Sequence, residues 1–254
     1  ALRHAMQTDM AAASGRLICI GLAVLSTACA SIPPEQRTET DPWETLNRPL
    51  YDINTTIDKV TTKPLARGYR KIVPSPLRNG VANFFENLTT PASALNNFLQ
   101  GKPKRGFSEV GRFIFNSSLG IGGLFDVATQ GGMEKYREDF GQTAAVWGIP
   151  DGPYVMLPFM GPKTLRDAVL MPLDVMSTPL YYYENTSVRD KLLVLRIIDL
   201  RYQLLKAEKF LDDSKDPYVT LRESYLQNRE YEIYDGEPPE DEDFYDDFLL
   251  EDED

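Results

Sequence analysis

The sequence predicts a mainly α-helical protein with little or no β-structure, and three observations carry that expectation. From residue 41 onward apolar residues recur at spacings of three and four, the period of one helix face. Prolines at 64, 74, 76, 91 and 103 punctuate those patterns, each able to end one helix or open the next. Helix-start signals stand in front of several of the patterns, Asp41-Pro42, Thr164 with Asp167 and Ser187 with Asp190 among them.

The segments follow in order. Residues 17–25 are apolar behind Arg16 and give way to small residues ending at Cys29. Nine apolar residues are too few to span a bilayer core, which takes about 20, so residues 1–28 read as a signal peptide. Cleavage before Cys29 would leave a thiol open to acylation, an anchor that needs no spanning helix. Ser26 stands where lipoprotein signals usually carry an aliphatic residue, and ordinary cleavage near Ala28 or Ala30 is the alternative. Residues 29–40, polar with Pro33-Pro34, read as a flexible tether, and residues 41–234 as one helical domain.

Within that domain Asp41 is expected to cap a helix over 41–59, with Leu46, Leu50, Ile53 and Ile57 on its apolar side. Between 78 and 100 Val81, Phe84, Phe85 and Leu88, then Ala92, Leu95, Phe98 and Leu99, predict two helices meeting at a corner at Pro91. Phe107, Val110, Phe113, Ile114 and Phe115 give another apolar face, closed by Asn116. Glycines at 120, 122, 123, 131 and 132 then predict a hinged hairpin. Residues 154–160, interrupted by Pro158, suit a short extended piece. Thr164 opens a helix through Met171, and Ser187 opens the longest one. That helix has two apolar stripes, one through Leu192 and Leu195 and one through Leu193, Ile197, Leu200 and Leu204, so it is buried in protein on both sides or faces lipid on one; the sequence favours protein. Pro217 opens a last helix to about Tyr231, and the acidic residues 235–254 are expected to be a disordered tail.

Composition excludes several functions. Of 38 acidic residues twelve fall in 235–254, so the remainder is nearly balanced against 27 basic ones and offers no basic face for nucleic acid. The one histidine is His4 and the two cysteines are Cys19 and Cys29, so residues 30–254 hold neither imidazole nor thiol. Ser-His-Asp and Cys-His sites, the usual zinc sites and disulfides are thereby removed. No cofactor or metal is expected, and the protein reads as no enzyme. The glycines at 120–123 lack the spacing and the following Lys of a nucleotide-binding loop.

Across 41–231 the residues resemble the MlaA (VacJ) family of outer-membrane lipoproteins. The blocks that carry the resemblance include Asp41-Pro42 with Asn47-Arg48, Val73-Pro74, Arg78-Asn79-Gly80, Asn83-Phe84, Asn97-Phe98-Leu99-Gln100-Gly101 and Arg112-Phe113 with Asn116. They continue through Gly122-Gly123, Asp126-Val127-Ala128, Phe140-Gly141, Gly152-Pro153-Tyr154-Val155, Leu165-Arg166-Asp167 and Asp216-Pro217-Tyr218. The resemblance implies a ring-like single domain of amphipathic helices around a central channel, lying in the periplasmic leaflet of the bacterial outer membrane. It also implies association with a trimeric porin and hand-over of mislocalised phospholipids to a soluble periplasmic lipid carrier, maintaining lipid asymmetry. An envelope phospholipid hydrolase and a structural, porin-organising lipoprotein are the rival readings. The missing imidazole weighs against the first.

On that resemblance Cys29 is the expected lipid attachment site. Arg78, Asn79, Asn83, Asn116, Arg166 and Asp167 are candidate channel or headgroup contacts, with helix capping the alternative role for Asp167. Gly120, Gly122, Gly123 and Gly141 are candidate hinges of a gate, against a plain surface loop. Tyr181, Tyr182, Tyr183, Trp43 and Trp147 suit either interfacial anchors or ordinary packing.

Overall fold

The computed structural model describes residues 41–238. The signal-like segment, Cys29, the tether and residues 239–254 lie outside the described residues. The architecture is mainly helical: α1 Glu44–Val60, α2 Thr62–Ile72, α3 Ser75–Leu99, α4 Pro103–Ser118, α5 Val127–Gln130, α6 Phe140–Val146, α7 Leu165–Met176, α8 Thr186–Leu204, α9 Glu208–Asp212 and α10 Pro217–Ile233. A two-stranded antiparallel sheet, β1 Tyr154–Leu157 and β2 Gly161–Thr164, sits between α6 and α7, with Tyr154 opposite Thr164 and Leu157 opposite Gly161. β1 is the extended piece expected at 154–160; β2, with Pro162 inside it, lacks the alternation that would have marked it.

A small apolar cluster of Tyr154, Met156 and Tyr218 packs with Leu50, Tyr51 and Leu226 and joins β1 to α1 and α10. Buried polar groups fix the same junction. Asn47 donates to the Tyr154 carbonyl at 3.0 Å and to Asp41 at 2.8 Å, and accepts from the Met156 amide at 2.9 Å. Asp41 is therefore no helix cap: it is fully buried, takes hydrogen bonds from Asn47 and the Tyr218 hydroxyl, and pairs with Arg222. Trp43 holds the cap position of α1 without a side-chain bond.

Pro91 does not break its helix, because α3 runs unbroken for 25 residues. Thr89 and Thr90 donate their hydroxyls to the Glu86 carbonyl just before the proline, and the side of α3 that carries Asn96 and Asn97 is clamped to the 136–143 segment. Tertiary bonds outweigh one missing backbone donor. α7 likewise passes through Pro172. Thr164 accepts from the Asp167 amide as expected, but Asn185, not Ser187, caps α8.

The distribution of polarity is the main departure from the expected helices. Among the described residues twenty polar or charged side chains are buried against ten hydrophobic ones, five of which are alanine. Phe107, Ile114 and Phe115 of α4, Val169 and Leu173 of α7, and Leu193, Ile197, Leu200 and Leu204 of α8 are all exposed. Among the described residues the second stripe of α8 therefore stays about half exposed, contrary to the burial that the sequence favoured. No described helix is long and apolar enough to cross a membrane.

Candidate functional site

A polar cleft runs between α3, α4 and the 126–137 segment, and its helical walls follow from spacing. Asn83, Glu86, Asn87, Thr90 and Ser93 lie on one side of α3; Glu109, Arg112 and Asn116 lie on one side of α4. Each set recurs at three and four, so the polar stripes face inward while Phe107, Ile114 and Phe115 face out.

Arg112, almost fully buried, organises the cleft. Its guanidinium donates to Thr129 Oγ1 at 3.0 Å, to the Met133 carbonyl at 2.6 Å and to Asp126 at 3.1 and 3.4 Å. Asn116 donates to Asp126 at 3.1 Å and accepts from the Ala128 amide at 2.9 Å. Burial opposes the charge on Asp126, but hydrogen bonds from Thr129, Lys135 and Asn116 overcome it and hold the carboxyl far below its usual range. Glu86 is also depressed: burial is outweighed by Arg137 at 2.7 Å and Lys135 at 3.0 Å. Burial dominates at Glu109 and raises it, although it accepts from the Tyr136 amide at 2.8 Å.

Three acids and three bases thus line the cleft, with amides and hydroxyls between them. Asn87 donates to Ser117 at 2.9 Å, while its buried carbonyl oxygen has no partner among the described residues. The turn at the mouth exposes Leu119, Ile121, Leu124 and Phe125. The free volume between these groups is only about 10 Å3, roughly one water, so the cleft is closed by its own ion pairs and lies beside an apolar surface.

The expected site residues divide. Asn83 and Asn116 line this cleft, and Asn83 also donates to the Leu124 carbonyl at 3.3 Å. Arg78 closes the end of α2 instead: it donates to the carbonyls of Arg70 and Val73 and lies 4.8 Å over the Tyr202 ring. Asn79 is exposed, without a side-chain hydrogen bond among the described residues. Arg166 and Asp167 belong to a second buried cluster, which joins α6, α7 and α10. There Arg229 donates to Asp139 at 2.8 and 2.6 Å and to Asp167 at 3.1 Å, Tyr225 donates to Asp167 at 2.8 Å, and Arg166 reaches Asp151 and the Ile149 carbonyl. Burial works against ionised Asp167, but Arg229, Tyr225 and Arg166 hold it charged below the usual range.

The four glycines differ as well. Gly122 and Gly123 have left-handed backbones, and a side chain at Gly123 would overlap Asn87. Gly120 closes the turn against the carbonyls of Asn116 and Phe125. Gly141 lies inside α6, where a Cβ would run into Asp167 and Arg229. The 120–141 segment is tied to α3 at Tyr136, where the carbonyl accepts from Asn97 at 3.0 Å, and at Glu138, where the carbonyl accepts from Ser93 at 3.2 Å.

Glu86, Glu109, Lys135 and Arg137 escaped the sequence reading, and Arg112 and Asp126 entered it only as matching blocks, not as site residues. The signal was present as polar spacing, Glu109, Arg112 and Asn116 at i, i+3 and i+7.

Residues 39–232 match the family described as "MlaA lipoprotein". The chain is 37% identical over 224 residues to "Intermembrane phospholipid transport system lipoprotein MlaA" of Escherichia coli (strain K12), covering 84% of this chain and 86% of that relative. A protein of Haemophilus influenzae with the same description is 29% identical over 222 residues, 84% of this chain and 88% of its own. A solved structure, from work on the structural basis for maintenance of bacterial outer membrane lipid asymmetry, matches with a TM-score of 0.69 and 38% identity, over 77% of this chain and 100% of the other.

Proposed function

The chain belongs to the MlaA lipoprotein family, and from that premise we propose that it is an outer-membrane lipoprotein of intermembrane phospholipid transport. In this reading it removes mislocalised phospholipid from the outer leaflet and passes it on intact to a soluble periplasmic carrier, next to a trimeric porin, without breaking a bond. The observation that carries the reading is the inverted polarity: paired charges line the inside of the α3–α4 cleft, and the same helix turns Phe107, Ile114 and Phe115 outward. Such helices are stable where the surroundings are acyl chains and the interior receives the headgroup. Cys29 supplies the acyl anchor, and exposed Tyr181, Tyr182, Tyr183 and Trp147 mark the headgroup level.

Once the 126–137 segment moves away from α3, the cleft offers a headgroup both signs of charge, Lys135 and Arg137 for phosphate, Glu86 and the Asn87 carbonyl oxygen for an ammonium, groups whose charges otherwise pair with one another. Asn83 and Asn116 act there as channel contacts, Asn79 meets headgroups from the surface, and Arg78, Arg166 and Asp167 hold the surrounding helices. The segment from Gly120 to Gly141 acts as a gate whose movement must first break the bonds of Tyr136 and Glu138 to α3.

The test is the full acylated chain in vesicles carrying labelled phospholipid, with a basic soluble acceptor protein outside. Intact lipid in the acceptor supports the proposal. Released fatty acid points to the hydrolase, and neither product to a structural lipoprotein.

A further inference from the structure

A second hollow, of about 330 Å3, opens between α2 and α9 and shares no lining residue with the α3–α4 cleft. Its frame is a closed set of ion pairs. Arg201 at the end of α8 donates to both oxygens of Asp58 at 2.8 Å and to Glu208 at 3.1 Å, and Glu208 also pairs with Lys63 in the first turn of α2. Two acids and two bases cancel there, and their geometry is spent on fixing α1, α2, α8 and α9 to one another.

The remaining charges of the hollow are not spent. Arg67 reaches Glu208 only at 3.7 Å, with 57% of its side chain exposed. Arg70 and Lys209 have no carboxylate partner among the described residues, and Asp212 and Asp213, which line the hollow with them, have no basic one. Apolar side chains stand exposed on the same elements: Leu65 and Ile72 on α2, Leu204 at the end of α8, and Phe210 on α9. Free bases and free acids therefore meet in one hollow, which Leu205 also lines, and the helix that carries Arg67 and Arg70 is basic on its polar side and exposes Leu65 and Ile72 on its other side, a pattern that favours a membrane surface.

Resting on the lipid-transport reading above, we propose that this hollow is a separate phospholipid site for a zwitterionic headgroup bearing a phosphate and a primary ammonium. Arg67 and Arg70 hold the phosphate through charge-assisted bonds, for which the planar guanidinium is suited. Asp212 and Asp213 take the ammonium, and the same two carboxylates disfavour a purely anionic lipid. Leu205, the apolar residue of the lining, lies against the glycerol end of the lipid.

The probe is phosphatidylethanolamine with a photoreactive diazirine on the headgroup, mixed into detergent micelles with the purified full chain, adducts being mapped by peptide mass spectrometry. Adducts are expected on the peptides around 67–72 and 205–213, and the double variant Arg67→Gln with Arg70→Gln should lower them about tenfold, the effect of losing roughly one charge-assisted bond. Asp212→Asn with Asp213→Asn should abolish the preference for dioctanoyl phosphatidylethanolamine over dioctanoyl phosphatidylglycerol as competitor. Labelling that is unchanged in the arginine variant, with helicity intact, overturns the site. So does labelling that inorganic phosphate erases as well as the lipid, which would make it an anion site. Adducts confined to peptides of the α3–α4 cleft remove this hollow and leave the transport reading standing; adducts nowhere would remove both.

Discussion

Ile121 has a left-handed backbone with φ of 53°, a conformation that a β-branched residue adopts only under strain, and its side chain is exposed. Ile121→Gly is expected to raise stability by about 1 kcal/mol, measured as a higher thermal midpoint in detergent. Gly141→Ala has the opposite sign, since the added methyl meets the paired Asp167 and Arg229; a loss of roughly 2–4 kcal/mol is expected. Asp174 gives a pH-dependent prediction. Burial, helped by the nearby Asp139 carboxylate and opposed by the Phe140 amide at 3.0 Å, pushes its carboxyl from 3.8 up to about 6. The folded chain therefore holds this proton more tightly than the unfolded chain does. The stability it contributes is complete below about pH 4 and lost as pH rises through about 6. Asp174→Asn, which keeps the acceptor oxygen for Phe140, should gain on the order of 1–2 kcal/mol relative to the unsubstituted chain at neutral pH and none in acid. Equal effects at both pH values would refute this assignment.

At the scale of elements, the two sides of α4 have separable roles. Phe115→Lys changes an exposed side chain and leaves Glu109, Arg112 and Asn116 in place. Helicity and thermal midpoint in detergent should hold, while partition into vesicles falls by about tenfold, the cost of a charge set against acyl chains. A fall in helicity instead would mean that this face packs on protein. The 120–141 segment is tested by Val127→Cys with Tyr136→Cys, since its Tyr136 and Glu138 bonds to α3 must open for a gate to move. Oxidation of that pair is expected to stop lipid transfer. Complete disulfide formation with undiminished transfer would leave a static channel.

At the scale of the molecule, the twenty buried polar side chains and the exposed apolar stripes of the described residues suit an apolar surrounding better than water. Cys29→Ala is expected to leave an unacylated chain that is not sorted to the outer membrane, as read by acyl-dependent fractionation. Asp235 pairs with Lys102 and Arg105 and so belongs with the helical body. A truncation that removes residues 239–254 keeps those pairs and should leave helicity unchanged; a slower encounter with a basic carrier, restored by salt, would give the acidic end a steering role.

Helix content, the capping of α7 by Thr164, the break before α10 at Pro217 and the absence of imidazole from residues 30–254 were legible in the sequence, because each depends on local spacing or on counting. The passage of α3 through Pro91 was not, since bonds from Asn97 to Tyr136 and from Thr143 to Asn96 join residues about 40 apart in the chain. Which stripe of each helix faces inward was equally closed to sequence reasoning. Apolar spacing marks a face but does not say whether protein or lipid covers it, and in α4 and α8 the apolar side is the exposed one. The cleft follows from that inversion: Arg112 can be buried against half-buried Asp126 only because the α3–α4 packing and the 126–137 segment bring their opposite charges and hydrogen bonds into one place, and a linear pattern does not encode that meeting.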